Sequence, residues 1–221
     1  APGGCGPAGG GEADPHGTPP LPTPDVHGAS GTGPGQFSYP RAIAADPARG
    51  RLYVIDKTAR VQVFEVDGGV RHAFHWRMPR FDRGKPSGVS VDADGTVWVA
   101  DTHEHRVMAF APDGRERLRF GSVGEGPGEL VYPTDVAFGP GGRLYVSEYG
   151  GNDRISVFEP DGSFVRSFGR FGTGDGAFNR PQAMLFSPDG GTLWVADSCN
   201  HRLVAVDPAT GDFVRTIGAP G

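Results

Sequence analysis

The chain has 221 residues and a formal net charge of −5, which allows a sizeable buried core and gives no general electrostatic reason to hold nucleic acid. Two cysteines, Cys5 and Cys199, exclude a disulfide framework and form no metal-ligand pattern, and no run approaches the ~20 apolar residues of a membrane helix. The 37 glycines and 21 prolines bring the composition near the low-complexity range, but they are unevenly spread.

Residues 1–30 are crowded with glycine and proline and hold no long apolar run, so they read as a flexible linker. Glu12, Asp14 and Asp25 lie there without any Lys or Arg, which leaves −2 on the rest of the chain. Cys5 reads as a free thiol. A lipid anchor at Cys5 is the alternative, and with it goes the expectation of an exported or cell-envelope, extracytoplasmic protein with no membrane span; a cytoplasmic location is the other reading.

From residue 31 the sequence repeats itself. An arginine opens a short apolar run at Arg60, Arg106, Arg154 and Arg202, spaced 46, 48 and 48 residues apart. An aromatic residue precedes valine at Tyr53, Trp98, Tyr145 and Trp194, and prolines recur at Pro40, Pro86, Pro133 and Pro181. Three independent anchors share one period, which divides the domain at about 31–78, 79–122, 123–171 and 172–218. Each repeat reads as four short strands; in the third they are 134–138, 143–147, 154–158 and 163–168, with turns at 139–142 and 160–162. No window of 12 or more residues has a helical period. The fold class is therefore all-β, a β-propeller of four-stranded blades with four repeats in this chain.

The run WVADSCNHRLVAVD (194–207) resembles the NHL repeat, whose core is Asp, a short gap, Asn-His-Arg and an apolar strand; WVADTHEHRVMAF (98–110) is similar. GTGPGQF (31–37), GEGPGEL (124–130) and GTGDGAF (172–178) resemble the glycine-rich lead-in of that family. The departures are local: Thr58-Ala59 replace Asn-His, residues 80–86 replace the second lead-in, and Glu148 replaces Asp. The resemblance implies a non-enzymatic scaffold with no cofactor and no metal, binding a protein or small ligand on its loop-bearing face.

Strand alternation puts the loops at 56–60, 101–106, 148–154 and 197–202 on one face with the connections between blades. Asp56/Arg60, Asp101/Arg106, Glu148/Arg154 and Asp197/Arg202 recur once per blade and so read as structural. The ligand-binding candidates are Arg41 and Asp135 at the central channel, and His103, His105, Tyr149, Arg180 and His201 among the loops. Arg77, Arg80 and Arg83 belong to a basic-aromatic stretch, 71–85, with Phe74, Trp76 and Phe81.

Two further readings come with the resemblance. Peptidyl-hydroxyglycine lyases are similar propellers that use histidine-held zinc with Arg and Tyr; His103, His105, His201 and Tyr149 supply such residue types, but no complete motif carries over. RNA binding is the third reading, carried by 71–85 and opposed by the near-neutral charge. The repeat pattern runs off both ends, so the blades are expected either to close as a four-bladed ring, the first choice, or to pair two chains through apolar flanks.

Overall fold

The computed structural model describes residues 25–80 and 85–218. The linker segment 1–24 with Cys5, and Arg83 with Phe81, lie outside the described residues. Four antiparallel sheets of four strands follow one another along the chain. Blade 1 is built from Pro40–Asp46, Arg51–Asp56, Arg60–Val66 and Val70–Arg77. Blade 2 has Gly88–Val91, Val97–Asp101, Arg106–Phe110 and Glu116–Phe120. Blade 3 has Pro133–Phe138, Leu144–Glu148, Arg154–Phe158 and Phe164–Phe168, within a residue or so of the sequence reading. Blade 4 has Pro181–Phe186, Leu193–Asp197, Arg202–Val206 and Phe213–Gly218. The only helical segments among the described residues are 3-10 turns of three residues.

Because successive side chains of a strand point to opposite sides, each blade has a front face toward the preceding blade and a rear face toward the next. The rear of blade 1 (Tyr53, Ile55, Val61, Val63) packs on the front of blade 2 (Val89, Val97, Val99, Met108, Phe110). The rear of blade 2 (Trp98, Ala100, Val107, Ala109) meets the front of blade 3 (Val136, Leu144, Val146, Phe158). The rear of blade 3 (Ala137, Tyr145, Ile155, Val157) meets the front of blade 4 (Met184, Leu193, Val195, Val204, Val206). The recurring Tyr/Trp anchor is thus a rear-face residue, buried between blades.

Near the channel the blades approach closely because side chains there are small. A methyl group on Gly88 would sit 2.5 Å from the Thr134 carbonyl oxygen and 2.7 Å from Asp135 Cα. Farther out the partly buried residues packed against these cores are aromatic: Phe74, Trp76, Phe120, Phe168. Small inside and large outside makes each interface a wedge.

Three such wedges join the four blades in order, and the four-bladed closure expected first is not built by the described residues. Among the described residues no core cluster or hydrogen bond joins blade 4 to blade 1. Ile43 on the front of blade 1 is 61% exposed, and Leu185 on the rear of blade 4 is 72% exposed.

The connections between blades are fastened by the recurring acid and arginine. Arg60, fully buried, pairs with Asp56 and donates to the carbonyls of Thr32, Gly33 and Gln36. Arg154 pairs with Glu148 and reaches the carbonyls of Glu125, Gly126 and Glu129. Arg202 pairs with Asp197 and holds those of Gly174 and Ala177. Arg106 pairs with Asp101 and takes the Pro79 carbonyl in the divergent second connection. Each lead-in folds back on itself through a parallel bridge, Val123 with Leu130 and Phe171 with Phe178, and so drives Leu130 and Phe178 fully into the interblade cores.

Removing one of these guanidiniums strands a buried carboxylate and several carbonyls, which typically costs about 3–5 kcal/mol. Arg60→Ala is therefore expected to lower the urea-unfolding free energy by that order; a loss below about 1 kcal/mol would show the pair to be structurally idle.

Candidate functional site

The loop-bearing face is shaped by two recurring strained backbone positions, each found in three of the four repeats. One closes the turn after the recurring acid: Ala59, His105 and His201 all adopt left-handed φ, at 56°, 53° and 52°. The other precedes the recurring proline: Tyr39, Tyr132 and Arg180 have φ of 51°, 45° and 59°. Such conformations are uncommon outside glycine and persist only where neighbours enforce them. Here the enforcement is visible. Tyr132 N–H donates to His105 Nδ1 at 3.2 Å, and Arg180 N–H donates to Asp153.

These constraints bring four of the sequence candidates together around a residue the sequence reading missed. His105 and Tyr132 have ring centroids 4.6 Å apart, and His103 lies 6.0 Å from Tyr132. Tyr132 stacks on Tyr149 at 5.3 Å, and the Arg180 guanidinium lies 5.0 Å above the Tyr149 ring. The result is a continuous track of rings ending in a cation, carried by blades 2 and 3 and the connection into blade 4. His103 and Arg180 are exposed, and His105, Tyr132 and Tyr149 half-buried. Burial, then the charges of Lys85 and Arg41, hold the His103 imidazole below its ordinary pKa. On blade 1 the equivalent Tyr39 is exposed and carries the Lys57 ammonium 4.9 Å from its ring centre. Tyr39 and Tyr132 were findable: each precedes an anchor proline. His201 is exposed on blade 4 and makes no ring contact among the described residues.

The central cavity, about 510 Å³, is lined by the inner strands of all four blades, with Arg41, Ser87, Ser90, Asp135 and Gln182 as its polar groups. Several of these tie blades together. Ser87 Oγ donates to the Thr134 carbonyl, Thr134 Oγ1 to the Pro181 carbonyl, and Met184 N–H to Asp135 Oδ2 at 2.8 Å. Burial pushes the Asp135 carboxyl up to about 7, against the pull of the Met184 and Val136 N–H groups.

The basic-aromatic stretch is divided by the fold. Phe74 and Trp76 pack against the core between blades 1 and 2, with Trp76 5.5 Å from Phe110. Arg71 pairs with Glu65, and Arg80 with Glu104 at 3.1 Å. Arg77 lies exposed at the end of the outer strand. The two described aromatics therefore serve packing.

The four acids differ in how fully they are satisfied. Burial alone would raise Asp56, but hydrogen bonds from Arg60, Thr58 and the Ser38 N–H outweigh it and hold the carboxyl below its ordinary value. Val131 and Asn179 N–H serve Glu148 and Asp197 as Ser38 serves Asp56. In the second repeat the matching position is Gly84, outside the described residues, and Asp101 Oδ1 has no partner among the described ones. Burial there prevails over Arg106 and raises the Asp101 pKa. Among the described residues no three His, Cys, Asp or Glu side chains converge in a metal-binding group.

The SMP-30/gluconolactonase/LRE-like region matches residues 34–150, and the NHL repeat matches residues 178–206. The chain belongs to the SMP-30/gluconolactonase/LRE-like family and is an NHL-repeat β-propeller. It is 43% identical over 53 residues to the Drosophila melanogaster protein brain tumor, covering 24% of this chain and 5% of that protein. It is 34% identical over 102 residues to human NHL repeat-containing protein 3, covering 45% of this chain and 27% of that protein. The chain thus spans about a quarter or less of these relatives' length. A streptogramin B lyase structure superposes with a TM-score of 0.64 at 16% identity, covering 83% of this chain and 56% of the lyase, a likeness of fold.

Asp135 gives the channel a pH signature. Its folded pKa lies above the ordinary 3.8, so its contribution to stability is fully present below pH 3.8 and is lost as pH rises to about 7. Asp135→Asn keeps an acceptor for the Met184 N–H and removes the charge. Between pH 5 and 8 the wild type should therefore lose about 1–2 kcal/mol more stability than the variant, allowing for water in the cavity. Parallel pH profiles of urea unfolding would contradict this.

Proposed function

We propose that this propeller is a non-enzymatic binding scaffold whose ligand, a segment of a protein partner, docks on the loop-bearing face. The observation that carries the reading is the ring track, with His103 and His105 on Tyr132, Tyr132 on Tyr149 and Tyr149 under Arg180. Its rings are half-exposed and held on a strained, over-determined backbone, so little conformational entropy is lost when a partner covers them. Aromatic and arginine side chains in such clusters supply most of the affinity of protein interfaces. Arg180 at the end of the track favours a partner segment that offers a carboxylate beside an aromatic or other planar side chain. The near-neutral charge of the folded part favours a protein segment over RNA.

The family also contains enzymes by name, and the fold is shared with a lyase. A catalytic reading would draw on Asp135, the one cavity carboxylate raised to about 7. The two readings separate in one experiment. Proteins retained by the immobilised wild type are compared with those retained by Tyr132→Ala/Tyr149→Ala/Arg180→Glu, and both forms are assayed for lactone hydrolysis. The scaffold reading expects a specific partner lost at least tenfold from the triple variant with nearly unchanged melting temperature, and no turnover. Turnover that Asp135→Asn abolishes, or a partner retained equally by both forms, would overturn it.

A further inference from the structure

Just before the recurring arginines stand Ala59, His105, Asp153 and His201. Two of these residues reach across to the next connection and do the same work there. Asp153 Oδ1 accepts the N–H of Arg180, and His105 Nδ1 accepts the N–H of Tyr132 at 3.2 Å. Both donors precede a recurring proline, and both sit at left-handed φ, 59° for Arg180 and 45° for Tyr132. That conformation is costly before proline, so it depends on what holds it. The two acceptor atoms are equivalently placed, since Nδ1 of histidine and Oδ1 of aspartate are each two bonds from Cβ. They differ in chemistry. A carboxylate keeps its acceptor oxygens through the neutral and mildly acidic range. An imidazole accepts only while neutral. With Nδ1 taking the Tyr132 N–H, its single proton must lie on Nε2, and a second proton would set one N–H against another.

Tyr132 is the middle of the ring track, in contact with His103, His105 and Tyr149. Its ring also lies against Gly150, where a methyl group would come within 2.8 Å of Cδ2. We infer that His105 is a proton-sensitive latch for this face: neutral, it holds Tyr132 between the other rings, and doubly protonated it releases Tyr132 and the docking surface is lost. The consequence for binding rests on the scaffold reading above, whereas the latch itself does not. The charges around the imidazole come from several elements. Its own turn brings Asp101, His103, Glu104 and Arg106, with Asp101 paired to Arg106. The connection entering blade 2 brings Arg80, paired to Glu104, and Lys85, whose charge acts on His103 together with that of Arg41 from blade 1. On the far side of Tyr132 stand Tyr149 and the Arg180 guanidinium, with Asp153 on the Arg180 backbone.

Amide exchange followed by NMR from pH 8 to pH 5, the span in which histidines change charge, tests the latch on the chain alone. In the wild type the protection of the Tyr132 amide should fall by at least about tenfold over that span, in step with the His105 imidazole resonances. The ring protons of Tyr132 and Tyr149 should lose their mutual contacts at the same time. The Arg180 amide, held by the Asp153 carboxylate, should keep its protection and serves as the control within the same molecule. His105→Asn places an amide oxygen where Nδ1 stood, an acceptor that does not take up a proton in this range, on a residue that tolerates left-handed φ. In that variant the Tyr132 protection should not change with pH. Tyr132 protection that is constant with pH in the wild type would overturn the inference. So would a fall that survives in His105→Asn, which would assign the proton to His103, or a fall during which the Tyr132 and Tyr149 rings stay together, since the face would then be unchanged. Failure of the face to retain any partner would instead contradict the scaffold reading and leave the exchange result standing.

Discussion

A carboxylate buried against a guanidinium stands near the start of the third strand of every blade, and the loop-bearing face depends on it. The pair by itself is not a strong source of stability, because taking two charges out of water offsets most of their attraction. Its role lies in the donors left over. A guanidinium has five N–H groups in a fixed fork, and the carboxylate uses only some of them. The rest go to the carbonyls of the lead-in that crosses from the previous blade, such as those of Glu125, Gly126 and Glu129 under Arg154. A glycine-rich connection with little side-chain packing of its own thereby becomes an ordered element. Its last residue, Leu130 or Phe178, is delivered into the core between blades.

The same fastening sets the functional surface. The lead-in is held at its start by arginine, and at its end the recurring acid accepts the N–H two residues before the proline. The residue between that N–H and the proline is left in a left-handed conformation that throws its side chain onto the face. In three repeats that residue is Tyr39, Tyr132 or Arg180. His105 and His201 are the αL residues that end the 3-10 turns at 102–104 and 198–200. One such position from each of two adjacent blades brings His105 against Tyr132, and the ring track across blades 2 and 3 is the product.

Much of this was legible in the sequence. The four arginines, four aromatic anchors and four prolines specify the number of blades and their strands, because each anchor does one job in every repeat. His103, His105, Tyr149 and Arg180 were recognisable as loop-face residues from strand alternation. Their convergence was not, since it rests on Tyr132 lying between them, and a residue preceding proline is not normally expected at positive φ. The fate of Phe74 and Trp76 was equally hidden: the interleaving with arginine that suggests a binding surface is also the in-out alternation of a strand whose inner side meets the next blade. The exposure of Leu203 could not be read from residue type either. Leu203 and Val61 look alike in sequence, and only the presence or absence of a neighbouring blade distinguishes a core residue from an exposed one.

The central claim is that buried arginine forks convert glycine-rich connections into fixed structure, and hydrogen exchange measured by mass spectrometry tests it most directly. The Leu130 and Phe178 amides donate within the lead-ins, to the Ser122 and Arg170 carbonyls, as strands do. Peptides covering 124–132 and 172–180 should therefore exchange as slowly as the adjoining strands of blades 3 and 4. Exchange of those peptides at the rate of unstructured chain, with the strands still protected, would contradict the account.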